Sequence, residues 1–398
     1  VIGAGTMGTG IALAFADAGL PVTLVDASAD ALARARARIG AYYDGRVAKG
    51  RLERGEANAR AASIEPRGDF DAVASADVVI EAVFERLDLK REIFARLGAA
   101  CRADTMLASN TSTLDVDAIA AAAPHPDRSL GLHFFSPAQV MRLLEVVRGA
   151  KTSQATLEAA IALGKRLGKV PVVVGNCDGF VGNRMLLGYR REAEFAVLAG
   201  ATPKRVDEAL EDFGFAMGPF AVADLAGIDI GHNAKLERIA RGAAPPFVVS
   251  NFSDALVAAE RLGQKTGKGW YRYVPGDRTR HDDPEVAAIV KNERTRLGIA
   301  LRDVSDEEIV ERCVYALVNE GARILEEGVA SSAADIDTIW LNGYGFPKAR
   351  GGPMRYADDA GLPNVLRAIR RFAERDPAFW RPAPLLIRLA ESNARFRD

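Results

Sequence analysis

Over the first 175 positions, short apolar runs rich in β-branched residues alternate with longer stretches of helical character. VIG, PVTLVD, ADVVIEAV, TMLASNTS, SLGLHFFSP, LLEVVRG and VPVVVG read as strands or strand ends. Between them, TMGTGIALAFADAG, residues 31–62, LDLKREIFARLGAAC and TLEAAIALGKRLGK read as helices. This alternation predicts an α/β fold with a doubly wound, mainly parallel sheet. After about residue 175 the strand runs stop and helices dominate.

The helical part repeats itself. Residues 191–229 run as a helix, a glycine turn, a Val-Asp helix start, then G-F, G-P and D-x-A-G. The same order returns from Asn319, with Asp207 matching Asp337 and Gly218-Pro219 matching Gly352-Pro353. A duplication explains this better than two unrelated helical hairpins. Three domains are expected, at 1–175, 176–280 and 285–398, with the charged, Pro- and Gly-containing residues 274–284 as linker.

The chain opens on VIGAGTMG, in which Gly3, Gly5 and Gly8 have G-x-G-x-x-G spacing, with Thr6 and Met7 opening the helix. The first glycine permits a tight turn, the second a close approach to a pyrophosphate, and the third close packing of helix on strand. Alone the motif is weak. Here it follows a strand, opens a helix and precedes a second strand ending in Asp26, where an acid can bind the adenine ribose hydroxyls. The whole constellation predicts a Rossmann-type dinucleotide site. A carboxylate at Asp26, with no arginine immediately after it, favours NAD over NADP; FAD is the competing dinucleotide. Val1 and Ile2 make only a strand end, so the natural polypeptide is expected to extend upstream.

LHFFSPAQVMRLLEVV, residues 132–147, carries one of only four histidines and, twelve positions later, a glutamate. Two readings fit: a core histidine satisfied by its neighbours, or a general base, His133, oriented by Glu145. Two successive strands joined through Pro137 could bring the pair together. Histidine suits the removal of a hydroxyl proton near neutrality, and the nearby dinucleotide motif favours the second reading.

Composition narrows the classes. At 48% hydrophobic and 26% charged, the chain is of ordinary globular composition. A formal net charge of -1 gives no electrostatic case for nucleic acid. No apolar run approaches the roughly 20 residues that span a bilayer. The three cysteines are scattered, which argues against a zinc site or a disulfide framework, so no metal is expected.

GAGTMG…VD, EAVFE, SNTS, HFFSP, LLEVV, GFVGNR and GFAMGP, in that order, resemble the L-3-hydroxyacyl-CoA dehydrogenases of fatty acid β-oxidation. The resemblance covers essentially the whole chain. It implies that His133 is the catalytic base and Glu145 its partner. It implies further that Ser112 binds the substrate oxygen, and that Asn183 helps bind substrate at the domain junction. From the residues alone, Ser112 and Asn183 could as well be a turn or a helix cap. For NAD the resemblance adds Glu85, Lys90 and Asn110, which by themselves read as solvated helix charges and a turn asparagine. Ser136 departs from members that carry asparagine there.

The duplicated helical part, with GFPKARGGP and KTGKGWYRY, resembles the multifunctional β-oxidation proteins. That implies an upstream enoyl-CoA hydratase/isomerase domain and a thiolase partner, with the second helical copy buttressing the first. The expected substrate is an acyl-CoA. The Arg/Lys-rich stretch from Arg34 to Arg60 could meet the CoA phosphates, although a solvated helical face explains it better. A single-function 3-hydroxybutyryl-CoA dehydrogenase and a non-catalytic NAD-binding scaffold are the alternatives. The Ala/Arg-rich composition points to a bacterial cytoplasm.

Overall fold

The computed structural model describes every residue except Pro275 and Arg278. It forms two compact units. The first is Val1–Asn183 with Glu327–Tyr344, and the second is Arg184–Glu326 with Gly345–Asp398.

The first unit is built on seven strands: β1 (Val22–Val25), β2 (Ile64–Arg67), β3 (Val78–Glu81), β4 (Met106–Ser109), β5 (Ser129–Phe134), β6 (Leu143–Arg148) and β7 (Val170–Gly175). Ile2 bridges Val25 on one side and Glu81 on the other, both in parallel. It thereby joins the β1–β2 pair to the β3–β4–β5–β6–β7 run. Every paired neighbour is parallel except β5 with β6. Side chains alternate across a pleated strand. Thus Ile80, Ala108, Leu130, Leu132 and Val146 enter one apolar cluster, while Val79 and Leu107 enter another on the opposite face. Six helices are interleaved with these strands: α1 (Thr6–Asp17), α2 (Ala29–Ala48), α3 (Arg54–Ala62), α4 (Leu87–Ala100), α5 (Val116–Ala120) and α6 (Gln154–Arg166).

Two differences from the sequence reading have physical causes. β2 was not expected, because IEPR carries a proline and two charges. It pairs only with β1, and such an edge tolerates proline and exposed charge. The helical stretch 31–62 is two helices, and several of its cations are already engaged. Arg46 and Arg60 both bind Asp17, at 3.0 and 2.8 Å. Arg38 donates to the Ala4 carbonyl at 2.8 Å.

Helix α7 (Gly182–Ala199) leads into the second unit, which contains α8 (Pro203–Phe213), α9 (Pro219–Ala226), α10 (Ile228–Ala240), α11 (Phe252–Ala258), α12 (Pro284–Leu297) and α13 (Asp306–Glu326). Helix α14 (Ala333–Gly343) belongs to the first unit, while α15 (Pro353–Ala360), α16 (Leu362–Ala373) and α17 (Pro384–Ser392) complete the second. The repeat is visible in the caps. Gly218 precedes α9 and Gly352 precedes α15, each with proline at the first helical position. Each of these helices then ends on a glycine with positive φ, Gly227 and Gly361, from which the next helix starts.

The expected boundaries do not coincide with the compact units. Gly175 N–H donates to the Val329 carbonyl at 2.7 Å, and Val174 forms an antiparallel bridge with Ala330. A piece of the second helical copy is thereby tied to the edge of the sheet. The expected linker, residues 274–284, is tied down in part. Pro275 and Arg278 lie outside the described residues. Within the rest, Arg280 binds Glu211 at 2.8 Å and Asp207 at 3.2 Å, and Asp283 caps α12. Burial pushes Asp207 up to about 6, although Tyr271 and the Phe220 and Ala221 amides donate to it.

Buried charge in the second unit is arranged as a network. Glu308 accepts from Arg302 and Arg312, and Arg312 also binds Glu192 at 2.6 Å. Burial alone would raise the Glu308 carboxyl, but the two guanidiniums outweigh it and hold it at about 2. Because the folded value lies below the ordinary one, this contribution is present above about pH 4.5 and is lost as the pH falls through about 2. Glu308→Gln is expected to cost roughly 1–2 kcal/mol near neutrality after allowance for solvent screening. Urea midpoints of wild type and variant should converge as the pH is lowered from 6 to 3. A gap that does not change with pH would mean that packing, not charge, is lost.

Candidate active site

The glycine turn has the shape a dinucleotide needs. Gly3 has φ +100, and a Cβ there would lie 2.7 Å from the Ala82 carbonyl oxygen. A Cβ on Gly8 would lie 1.8 Å from the Gly3 carbonyl oxygen, so α1 can sit this close to the strand only with glycine. A Cβ on Gly5 would meet nothing within 4 Å, which leaves that side open for a ligand's approach. Gly5 caps α1 without a side-chain oxygen, and the first turn, including Thr6 and Met7, contains no acid. Its N–H groups are thus free to receive an anion such as a pyrophosphate. Asp26 follows β1 and is held by the amides of Ala4 at 2.8 Å and Ser28 at 2.9 Å. Arg38, which sequence reasoning did not single out, clasps this turn from α2 through the Ala4 carbonyl.

A second group gathers at the ends of β3 and β4. Lys90 is fully buried, with its Nζ 2.8 Å from Glu81 and 3.4 Å from Glu85. Glu81 also accepts from Ser109 at 2.7 Å. Glu85 accepts from the Thr111 hydroxyl and the Ser112 amide, both at 2.7 Å, and from the Ser112 hydroxyl at 3.1 Å. Burial would raise the Glu85 carboxyl, but Lys90 and these hydrogen bonds prevail and hold it below its ordinary range. Lys90 is therefore turned inward onto carboxylates, and Glu85 organises the loop that carries Ser112. Asn110 accepts from the Phe134 amide at 2.9 Å, which ties the end of β4 to β5 beside the histidine. Glu81 was missed in the sequence. Its signal was a charged residue closing an apolar strand.

His133 and Glu145 are directly opposite partners in the antiparallel β5–β6 register. Such pairs share a face and bring their Cβ atoms within about 5.5 Å. His133 Nδ1 lies 2.7 Å from Glu145 Oε2, with Glu145 fully buried and His133 6% exposed. A carboxylate only accepts, so Nδ1 carries the hydrogen and Nε2 of the neutral ring keeps its lone pair. The other carboxylate oxygen accepts from Gly182 N–H at 3.0 Å, at the start of α7. Asn183 follows immediately, and its Nδ2 donates to the Ser112 carbonyl at 3.4 Å. Thus all four expected catalytic residues lie in the first unit, in two hydrogen-bonded pairs: His133 with Glu145, and Ser112 with Asn183. Phe135 packs on the His133 ring at 4.3 Å between centroids.

A dinucleotide cradle and a histidine oriented by a buried carboxylate in one unit are the arrangement expected of a dehydrogenase that acts on an alcohol. The chain belongs to the 3-hydroxyacyl-CoA dehydrogenase family. Residues 1–177 match the family's NAD-binding domain. Residues 179–273 and 309–396 match its C-terminal domain, two stretches for one domain, as a duplication gives. The cofactor is NAD, and the glycine cradle and Asp26 fit it. A peroxisomal bifunctional enzyme from Danio rerio is 44% identical over 98% of this chain and 55% of its own length. A fatty acid oxidation complex subunit alpha from Pseudomonas syringae is 35% identical over 100% of this chain and 55% of its own. The chain spans about half the length of these relatives. The crystal structure of 3-hydroxybutyryl-CoA dehydrogenase from Escherichia coli K12 superposes with a TM-score of 0.86 at 31% identity, covering 99% of this chain and 98% of that one. Among the described residues no helix is long and apolar enough to cross a membrane, and no cluster could hold a metal.

Proposed function

We propose that this chain oxidises L-3-hydroxyacyl-CoA to 3-oxoacyl-CoA as the dehydrogenase part of a multifunctional β-oxidation polypeptide. The observation that carries the reading is the His133–Glu145 pair, set in register at 2.7 Å with the histidine Nε2 left as the base. Bound NAD supplies the acceptor for the hydride that leaves C3 of the substrate. His133 Nε2 takes the hydroxyl proton, and Glu145 stabilises the imidazolium that results. The Ser112 hydroxyl donates to Glu85 at 3.1 Å; because Glu85 also holds the Thr111 hydroxyl and the Ser112 amide, the serine can turn its hydrogen to the substrate oxygen instead. Asn183 spends one amide hydrogen on the Ser112 carbonyl and keeps the other for the oxygen as it becomes a carbonyl. Asp26 takes the adenine ribose hydroxyls. Asn110 and the glycine-turn residues Gly3, Gly5, Thr6, Met7 and Gly8 border the cofactor. Glu85 and Lys90, which the family resemblance assigns to NAD, hold the loop of Thr111 and Ser112 beside it.

An upstream hydratase/isomerase domain and a thiolase partner are part of this proposal. The hydratase rests on the doubled length of the relatives, and the thiolase on family resemblance. We place the protein in a bacterial cytoplasm on its Ala/Arg-rich composition; a peroxisomal address in the full polypeptide would reverse this. A second reading, a short-chain 3-hydroxybutyryl-CoA dehydrogenase, is favoured by the end-to-end E. coli match.

Loss of NADH absorbance should be followed with acetoacetyl-CoA and with longer 3-oxoacyl-CoA thioesters. Turnover that extends to long chains is the expected result. Activity confined to the four-carbon substrate would establish the second reading. NADH binding without any turnover would leave only the scaffold reading.

A further inference from the structure

The second helical copy was expected only to buttress the first, yet part of it lies in the first unit. Residues 327–344 leave α13, pair with the edge of the sheet through Ala330 and Val174, and continue as α14. At the end of α14 a Cβ on Gly343 would lie 2.4 Å from the Leu143 side chain on β6, so the chain passes close to the strand that carries Glu145. The next residue is Tyr344. Its ring stacks on Trp340 at 4.8 Å and meets the edge of Phe135 at 5.5 Å. Phe135 is the ring that packs on His133. A Cβ on Gly182 would fall 2.3 Å from the Tyr344 hydroxyl, so glycine at that position makes room for the phenol. The hydroxyl donates to Asn183 Oδ1 at 2.9 Å.

We propose that Tyr344, contributed by the second helical copy, is a positioning residue of the active site: it fixes the Asn183 amide so that its free N–H serves the substrate oxygen. The polarity is set by chemistry. The Ser112 carbonyl can only accept, so the amide end turned to it must be NH2. Oδ1 is then the end that meets Tyr344, and the phenol must donate. Burial, with Glu145 nearby, pushes the phenol well above its ordinary value, so it remains a donor wherever the enzyme is folded. Without that hydroxyl only the long 3.4 Å bond to the Ser112 carbonyl holds the amide, so its other N–H is no longer fixed on the substrate oxygen. The stacked rings on Trp340 and Phe135 hold the phenol in place without any help from the hydroxyl, so Tyr344→Phe should fold normally.

The inference rests on the reading of Asn183 as a substrate ligand, and the experiment separates the two. Tyr344→Phe, Asn183→Ala and the double variant are assayed with acetoacetyl-CoA and NADH, alongside NADH affinity by fluorescence and melting temperature. Loss of one well-aligned hydrogen bond predicts that Tyr344→Phe lowers kcat/KM for the acyl substrate about 5- to 20-fold. NADH affinity and melting temperature should stay at wild-type values. In the Asn183→Ala background the tyrosine substitution should add nothing, because there is no amide left to orient. Wild-type activity in Tyr344→Phe beside an impaired Asn183→Ala overturns the inference and leaves the Asn183 reading standing. Multiplying effects also overturn it, as does a loss accompanied by weaker NADH binding and a lower melting temperature. Wild-type activity in Asn183→Ala removes both readings together.

Discussion

His133→Gln is expected to lower kcat by about three orders of magnitude while leaving NADH affinity within about twofold of wild type. The loss is of the size that removal of a positioned base produces. Glutamine matches histidine in reach and can still donate to Glu145, so the buried carboxylate keeps a partner and β5 keeps its register against β6. What glutamine cannot do is accept a proton. The cradle at Gly3, Gly5 and Gly8 is formed on the Ile2 strand end and α1, away from β5, which is why cofactor binding should survive. Steady-state NADH oxidation with acetoacetyl-CoA, paired with NADH fluorescence titration, reads both quantities. A variant that retains more than about a tenth of wild-type kcat would show that another group takes the proton. Joint loss of turnover and NADH binding would point instead to a damaged fold.

Features close together in sequence, or repeating with a fixed period, could be read directly from the chain. The glycine spacing, the acid after β1 and the apolar strand runs depend on local geometry, so the order of strand end, glycine turn, helix and strand up to Asp26 could be read. The His133–Glu145 pair was readable because a single eight-residue loop joins two successive strands whose side chains alternate. Once Leu132 and Val146 face the core, His133 and Glu145 must share the other face. Lys90 was harder. On a helix beginning LDLKRE it reads as surface charge. Its burial follows from Glu81 and Glu85 in the preceding strand and loop, which no helical periodicity reveals. The meeting of Asn183 with Tyr344 spans 161 positions. The duplication showed that two helical copies exist, but not that a segment of one would return to the sheet, because that depends on an edge pairing made by backbone atoms alone. β2 escaped for a related reason: its partner β1 supplies what its own proline and charges withhold.

Glu145→Gln should be almost as damaging as loss of the histidine, although its shape is nearly unchanged. The carboxylate serves two donors, His133 Nδ1–H and the Gly182 amide. An amide has only one oxygen. If that oxygen stays with Gly182, an NH2 group faces His133. Nδ1 must then accept, which moves the ring hydrogen to Nε2 and removes the lone pair that takes the substrate proton. If the oxygen turns to His133, the tautomer is preserved, but the NH2 then faces the buried Gly182 N–H and a backbone donor is left unsatisfied at a cost of about 1–3 kcal/mol. The first arrangement spares the fold and sacrifices the base, so it should dominate. The expected result is a fall in kcat of about 100- to 10,000-fold, comparable with the wrong-tautomer loss in serine protease triads, with little change in melting temperature or NADH affinity. Glu145→Asp is the control. It keeps the charge and both acceptors but shortens the reach, so it should retain far more activity than the glutamine variant. Equal losses in the two variants would mean that the distance from the strand, rather than the ring's tautomer, is what Glu145 supplies.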